Sequence, residues 1–162
     1  MKLACRHRIP LSADAFWQVI HAPRYEALVG EEAGLHAYRE LERRDEGDAI
    51  YRRIHAEPEL PAALGALVSR FVPRGATPSY VEEQWRSKSR KEVRFRMHSS
   101  FLPRSRIEGV VRVEPLDAES CTRILDGVVE VGLFGVGRLI ERAVVANTIE
   151  AYAKSAAAVK RL

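Results

Sequence analysis

Apolar and polar residues alternate over much of the chain, and the alternation is already clear in residues 2–9. There, Leu3, Cys5, His7 and Ile9 stand between basic or small residues. A period of two predicts a β-strand with one buried face. The same period recurs in six later segments, residues 35–44, 49–57, 79–87, 91–99, 106–113 and 120–133. Strands with one polar face are typical of an antiparallel sheet packed on one side, so seven such strands are predicted.

The alternation also assigns the two faces of each strand. In the fourth strand, Val81 and Trp85 are predicted on one apolar face, with Glu83 between them. Inward positions in the later strands are Val93, Phe95, Met97, Ile107, Val111, Val113, Leu125, Val129 and Val131. The solvated face is predicted to carry Arg94, Arg96, Glu108, Arg112, Arg123, Asp126 and Glu130. Cross-strand ion pairing accounts for the charges on that face without any chemistry.

Four segments have helical spacing instead. Ser12 offers an N-cap to an apolar helix over residues 13–22, and Pro23 starts a second short helix. Residues 60–72 repeat apolar side chains at three- and four-residue steps, which predicts an amphipathic helical insertion. A terminal helix over residues 136–161 is large enough to cover the apolar face of the sheet. The element order therefore predicts an α+β fold with a long C-terminal helix.

The composition is that of an ordinary globular protein. A length of 162 residues predicts one domain over residues 1–162, and 46% hydrophobic with 30% charged residues excludes the disordered class. No apolar run approaches the roughly 20 residues of a membrane span, and the N-terminus lacks the apolar core of a secretory signal, so a cytoplasmic location is expected. The net charge of +4 is spread along the chain, which permits acidic partners without requiring them.

The order of elements resembles the helix-grip fold of the START-like or Bet v 1-like superfamily, also called SRPBCC. The opening PLSADAFWQVI is similar to the family's usual first helix, with an aromatic residue at Trp17. Three further stretches resemble its DUF2505 subgroup: ELPAALGALVSRFV leading to VEEQW, RIEGVVRVEP, and VVEVGLFGVGRLIERAV. The resemblance covers essentially the whole chain. It implies a seven-stranded curved antiparallel sheet wrapped on the C-terminal helix, with a cavity between them.

The resemblance also implies a function, which is the binding or carriage of a hydrophobic or amphipathic small molecule, such as a lipid. The candidate contacts, chosen from the inward positions, are His7, Trp17, Trp85, Phe95, Met97, Val111, Val129, Val144 and Asn147. The candidate cavity mouth comprises Phe71, Phe101, Leu102, Leu133 and Phe134. Two alternatives stay open: a cyclase or dehydratase with His7 as its base, and a protein-interaction module.

Two of these candidates are polar groups within apolar surroundings. His7 lies on the inward face of the first strand, where a hydrogen-bonded core histidine is commoner than a catalytic base. Asn147 interrupts the apolar stretch AVVANTIEAY of the terminal helix. A buried amide needs partners, so Asn147 is predicted to bond either the protein itself or a ligand's polar group. The sequence names no catalytic residue, metal ligand or cofactor, and it leaves the oligomeric state open.

The glycine-rich stretch GLFGVG, residues 132–137, invites comparison with a nucleotide loop. Its order is G-x-x-G-x-G rather than G-x-G-x-x-G, and no strand follows the helix that it opens, so no βαβ unit exists. A tight turn between the last strand and the terminal helix is the predicted role. Nucleic-acid binding is not expected either, because Phe95 points away from the face of Arg94 and Arg96 and leaves no stacking platform.

Three segments combine apolar tips with arginines, namely LGALVSRFVPR, SSFLPRSR and GLFGVGR. In the helix-grip order, the corresponding loops gather at the cavity mouth. Such tips suit shallow docking on an anionic membrane, whereas the simpler interpretation is ordinary packing of loops on the domain. Peripheral membrane contact is therefore retained as a hypothesis.

Overall fold

The computed structural model describes residues 1–102 and 104–162 and confirms the predicted element order. The strands in this part of the chain are β1 (Lys2–Ile9), β2 (Leu35–Asp45), β3 (Ala49–Pro58), β4 (Tyr80–Ser87), β5 (Glu92–Ser99), β6 (Ser105–Pro115) and β7 (Cys121–Val131). The helices are α1 (Ala13–Val19), α2 (Pro23–Glu32), α3 (Ala62–Val68) and α4 (Gly137–Ala158). Short 3₁₀ turns, Ser69–Phe71 and Val159–Arg161, follow α3 and α4. Pro103, within the predicted loop SSFLPRSR, lies outside the described residues.

The strands form one antiparallel sheet in the order β1-β7-β6-β5-β4-β3-β2. From β2 to β7 each strand pairs with its neighbour in sequence, and β1 closes the sheet by pairing with β7. The concave face of this curved sheet holds α4, which contacts β1 and β7 and also packs on α2 and α3. This arrangement is the predicted helix-grip fold.

Gly109 of β6 pairs directly with Gly127 of β7. A Cβ atom on Gly109 would lie 2.6 Å from the carbonyl oxygen of Asp126 and 3.0 Å from the ring of Phe95. Atoms at such distances overlap, so this pair requires glycine on both strands. The missing side chain leaves the Phe95 ring free to lie over β6 on the concave face.

Buried side chains form two apolar clusters between the sheet and the helices. The larger cluster joins the sheet to α3 and the first half of α4, and it includes Leu3, Leu64, Val68, Leu125, Val129 and Ile140. The smaller cluster lies among α1, α2 and the C-terminal end, and it includes Ile9, Phe16, Tyr25, Cys121 and Val159. The space between the two clusters is where the cavity described below lies.

The structure corrects two of the predicted strand faces. Trp85 pairs with Tyr51 of β3 and Arg94 of β5, and all three lie on the convex face. The side chains of β4 that point to the concave face are Tyr80, Glu82 and Gln84. Because they are polar, the pattern of this strand predicts that they face solvent, which is wrong. Arg123 was assigned to the solvated face, but it alternates in phase with Leu125 and lies on the concave face, only 3% exposed.

The turn between β7 and α4 has the predicted form. Gly135 adopts a φ of +81°, a conformation that favours glycine, and α4 begins two residues later at Gly137. The side-chain carboxylate of Glu141 accepts a hydrogen bond of 3.0 Å from the backbone N–H of Val131. The first turn of α4 is thereby tied to the end of β7.

Replacing Gly109 with Ala should destabilise the fold, because the new methyl group meets the backbone of β7 rather than a mobile side chain. We expect a loss of about 1–3 kcal/mol in the free energy of unfolding, the usual cost of overpacking. Gly65→Ala is the matched control, since a Cβ there meets Leu60 Cβ at 3.9 Å inside α3 and should stabilise by about 0.5–1 kcal/mol. Urea denaturation measures both variants, and equal stabilities would contradict the role given to Gly109.

Candidate functional site

A cavity of about 290 Å³ lies between the concave face of the sheet, α2 and α4. Its wall on the sheet side is apolar and includes Leu3, Val93, Phe95, Met97, Ile107 and Val111. Well-packed protein interiors contain few voids larger than a water molecule. A space of this size is therefore a feature of the fold rather than a packing defect.

Hydrogen bonds hold α4 to β7 at two points, and the cavity lies beneath the stretch of helix between them. Near its start, Glu141 bonds the backbone of β7. Near its end, Arg123 of β7 bonds the Tyr152 carbonyl at 2.5 Å and the Ser155 hydroxyl at 3.1 Å. The residues of α4 between these anchors that line the cavity are Val144, Asn147, Thr148 and Ala151.

The structure brings some of the candidate contacts together at the cavity. The candidates that line it are Phe95, Met97, Val111, Val144 and Asn147. Phe101 and Leu102, predicted for the mouth, also line it and are buried. The Asn147 side chain makes no hydrogen bond to the residues described, so its amide is free to meet a ligand.

Four other candidate contacts lie outside the cavity wall. Trp85 is on the convex face, and Val129 is fully buried in the larger apolar cluster. Trp17 of α1 packs edge-on against His21 and beneath the guanidinium of Arg86. A hydrophobic repeat of two or 3.6 residues predicts which side chains face inward. It does not show whether an inward side chain meets packed neighbours or the cavity.

His7 is the fourth, and it pairs in register with Arg123 on the concave face of β1. Its Nδ1 is buried and has no hydrogen-bond partner in the part of the chain described. Burial, with the positive charge of Arg123, lowers the pKa of His7. His7 does not line the cavity, so a base at His7 would not meet a molecule bound there.

Three candidate mouth residues also lie outside the wall. Phe71 is half-buried beneath Arg70, with the guanidinium 4.9 Å from its ring centroid, and packs on the larger apolar cluster. Leu133 is half-buried against the same cluster. Phe134 is fully exposed at the β7–α4 turn. Phe71 and Leu133 therefore pack on the protein interior, whereas the phenyl ring of Phe134 projects into solvent.

The sequence analysis missed a polar group on β4. Tyr80, Glu82 and Gln84 alternate along this strand, and all three side chains line the cavity. The Gln84 side-chain amide donates a 2.7 Å hydrogen bond to Glu82 Oε1. Burial raises the pKa of the Glu82 carboxyl, and no cation lies within ion-pair distance of it among the described residues. The alternation along β4 does place these three residues on one face of the strand. Their polarity, however, predicts that this face meets solvent rather than the cavity.

A second missed group surrounds Arg52 of β3, which is 4% exposed. Its guanidinium lies 2.5 Å from Glu26 Oε1 of α2 and 2.6 Å from Glu40 Oε2 of β2. Hydrogen bonds from Arg43 and from Arg52 lower the pKa of Glu40 to about 2. The charge of Arg52 is therefore neutralised by two carboxylates at one side of the cavity.

His21 follows α1 and lines the cavity close to this charged group. Burial and the positive charges of Arg86, Arg52 and Arg43 lower its pKa to about 3. Its Nε2 is buried and unpartnered within the described residues. The imidazole is neutral near pH 7 and is too weak a base for general base catalysis there.

The third missed group is Arg123 itself. It donates to the Tyr25 hydroxyl at 2.7 Å, as well as to the Tyr152 carbonyl and Ser155, and it lies 4.7 Å from the Tyr152 ring centroid. Burial raises the pKa values of Tyr25 and Tyr152, so both phenols stay protonated. A buried guanidinium among neutral groups thus lines the cavity beside α2 and α4.

A curved antiparallel sheet wrapped around one long helix, with a cavity between them, is the helix-grip fold. Three solved structures show the same fold. A START superfamily protein from Mycobacterium smegmatis has 15% identity and a TM-score of 0.68, over 99% of this chain and 97% of that one. The ZhuI aromatase/cyclase from Streptomyces sp. R1128 has 14% identity and a TM-score of 0.66, over 99% and 94%. Norcoclaurine synthase from Thalictrum flavum, in complex with dopamine and hydroxybenzaldehyde, has 14% identity and a TM-score of 0.65, over 99% and 86%.

The chain belongs to the family described as "Protein of unknown function (DUF2505)", whose model matches residues 4–162. The predicted family and the predicted fold are both confirmed. No curated protein sequence matches the chain. In the described ranges 1–102 and 104–162, no helix combines the length and apolar character needed to cross a bilayer.

Glu82 should make the stability of the fold fall as pH rises. Its carboxyl keeps a proton in the folded state above its ordinary pKa of 4.5, where the unfolded chain has lost it. The contribution of Glu82 to stability is therefore fully present below pH 4.5 and is lost as pH rises through the raised folded pKa. Glu82→Gln removes this dependence, so its stability relative to the natural protein should increase above pH 4.5, as measured by urea denaturation at several pH values.

Glu83 on the convex face is the matched control for this experiment. Hydrogen bonds from His98 and Tyr51 lower its pKa, so Glu83→Gln should lose stability near neutral pH and recover as pH falls. Opposite slopes for the two neighbouring variants are the expected result. A Glu82→Gln curve parallel to that of the natural protein would show that Glu82 is not enclosed as described.

Proposed function

We propose that this protein binds and carries a hydrophobic or amphipathic small molecule, of lipid-like chemistry, in the cavity between the sheet and α4. The observation that supports it is an unfilled cavity of about 290 Å³ with an apolar wall. That volume is roughly twenty times what admits one water molecule. Burial of apolar area, at roughly 25 cal/mol per Å², supplies most of the affinity.

The proposed contacts are those candidates that face the open space. Phe95, Met97 and Val111 present an apolar floor from β5 and β6, and Val144 faces them from α4. Asn147 supplies an amide from the same helix. The norcoclaurine synthase structure, which has the same fold, is in complex with dopamine and hydroxybenzaldehyde, which supports the binding of small molecules by this fold.

A second candidate function is an acid–base reaction on the bound molecule, of the cyclase or dehydratase kind. One observation favours it: Glu82, whose pKa is raised by burial, and Tyr80 both line the cavity. A carboxyl whose protonated form is favoured by burial can act as a general acid. Glu82 replaces His7 as the candidate catalytic group, because His7 lies outside the cavity wall. Mass spectrometry of the ligand recovered from the protein distinguishes the two functions. A carried ligand keeps its mass, whereas this reaction changes the ligand chemically.

The third alternative, a protein-interaction module, was expected to accompany a collapsed cavity and a contiguous apolar patch. The cavity is open, and the large apolar side chains exposed in the described residues are spread over several elements. Nothing on this surface favours a protein partner over a cavity ligand.

The β7–α4 turn is proposed to dock on an anionic membrane and so to place the protein where a lipid-like ligand is available. Phe134 projects fully into solvent, and Leu139, on the first turn of α4, is 49% exposed. Arg138 and Arg104 are exposed beside them and form no ion pair with any described residue. An exposed phenyl ring and an exposed leucine beside unpaired arginines suit the interface of an anionic bilayer.

Filling the cavity should abolish binding. Val111→Phe adds a ring to the cavity floor, and we expect affinity for the neutral dye Nile red to fall by about tenfold or more, equivalent to about 1.4 kcal/mol. Val110→Phe is the matched control, because the neighbouring residue of β6 points to the convex face. Fluorescence titration with Nile red measures the affinity of the natural protein and of both variants. Equal affinities, or no dye binding by the natural protein, would count against a cavity ligand.

Removing the exposed ring should weaken membrane contact. Phe134→Ser is expected to lower binding to vesicles of phosphatidylserine and phosphatidylcholine, and higher salt should lower it further because the arginine contribution is screened. Leu116→Ser is the control, since Leu116 is 55% exposed at the β6–β7 turn, at the other end of β7. Vesicle co-sedimentation measures both. Unchanged binding by Phe134→Ser would leave the segment as a plain turn.

A further inference from the structure

Two buried arginines line the cavity, and their surroundings differ in charge. Arg52, 4% exposed, lies between the carboxylates of Glu26 and Glu40. Arg123, 3% exposed, forms no ion pair with any carboxylate in residues 1–102 and 104–162. One side of the cavity therefore holds a neutralised guanidinium, and the other holds a free positive charge.

The hydrogen bonds of Arg123 go to neutral acceptors. They are the Tyr25 hydroxyl, the Tyr152 carbonyl and the Ser155 hydroxyl. A guanidinium has five N–H donors, so three bonds leave two unused. One of these is the Nε–H, which is buried and has no partner in the described structure.

These hydrogen bonds explain why a hydrogen-bond donor is needed at position 123, but they do not explain why that donor carries a positive charge. A neutral side chain with N–H groups could serve the same hydroxyls and carbonyl without desolvating an ion. Burying an unpaired charge costs several kcal/mol, and structures normally offset that cost with a counter-charge. The protein supplies two carboxylates to Arg52 and none to Arg123, so a counter-charge for Arg123 has to come from outside the chain.

Other titratable groups around the cavity do not supply it. Glu26 of α2 is bound by Arg52, and burial favours the protonated form of Glu82 on β4. His21, after α1, is neutral near pH 7. On β1 and β7, burial disfavours the thiolates of Cys5 and Cys121 and the protonated form of His7. The wall thus carries excess positive charge at Arg123.

We propose that Arg123 is the anion-binding residue of the cavity, and that the bound molecule is an amphipathic oxyanion. Its negatively charged end, a carboxylate or a phosphate, faces the guanidinium, and its apolar part lies along Phe95, Met97 and Val111. Charge-assisted bonds from a guanidinium to an oxyanion are among the stronger hydrogen bonds in proteins. This inference rests on the proposed function and narrows it to one class of ligand.

The experiment compares ligands that share an apolar tail and differ in the end group. Decanoate, decyl phosphate and decan-1-ol are titrated against the natural protein by displacement of Nile red at about pH 7.5, where a carboxylic acid is ionised. We expect at least one of the two anions to bind about tenfold or more tightly than the alcohol. Inorganic phosphate alone is included, and its competition with decanoate would identify a site that also takes a free oxyanion.

Variants of Arg123 test whether the preference comes from this residue. In Arg123→Met the ratio of anion to alcohol affinity should fall to about one, whereas Arg123→Lys should keep part of the preference because it keeps the charge. Each ratio is taken within one protein, so a uniform loss of affinity from lower stability cancels. If Arg123→Met does not fold, the anion-to-alcohol ratio of Arg123→Lys is compared with that of the natural protein. A lower ratio in Arg123→Lys supports the role of Arg123, and an equal ratio contradicts it.

The outcomes separate this inference from the proposed function. Equal binding of the anions and the alcohol, or a preference that survives in Arg123→Met, would overturn the role of Arg123 and leave cavity binding intact. Failure of Nile red and all three decyl compounds to bind would overturn both. A preference that disappears with the charge at position 123 supports both.

Discussion

The attachment of α4 to the sheet at two separated points is the constraint on which the rest of the structure depends. Glu141 fixes the start of the helix to the last backbone N–H of β7, and Arg123 fixes its end through a carbonyl and a hydroxyl. Between these anchors the helix crosses the concave face of the sheet, and Val144, Asn147, Thr148 and Ala151 line the space beneath it. The cavity follows from that geometry, and so does the exposure of Asn147 to it.

The same attachment sets the electrostatics of the cavity. Arg123 has to be buried to reach the helix, and the acceptors that the helix and α2 offer are neutral. Arg52, on the opposite side, joins β3 to α2 and β2 through carboxylates and leaves no free charge. The cavity is therefore apolar along β5 and β6 and polar at both sides. Its polarity suits an amphipathic molecule better than a pure hydrocarbon.

The sequence predicts the fold far better than it predicts the site. Strand and helix periods are local properties, so all seven strands and the terminal helix were predicted to within a few residues, and the DUF2505 resemblance agrees with the family match. The faces of β4 were reversed, because Glu82 and Gln84 look like solvated residues until the space that they face is known. Arg123 shows the same effect, since its phase along β7 pointed inward and its charge suggested the opposite.

The order of elements and the phase of most strands follow from the local sequence, because they depend on the polarity of residues two to four positions apart. The tertiary structure alone decided which inward residues meet empty space. Val129 and Val111 are both buried valines on neighbouring strands, but Val129 is packed and Val111 lines the cavity. That difference depends on the path of α4 over the sheet, which is fixed by contacts such as the bond of Arg123 to Tyr152, 29 residues away in sequence.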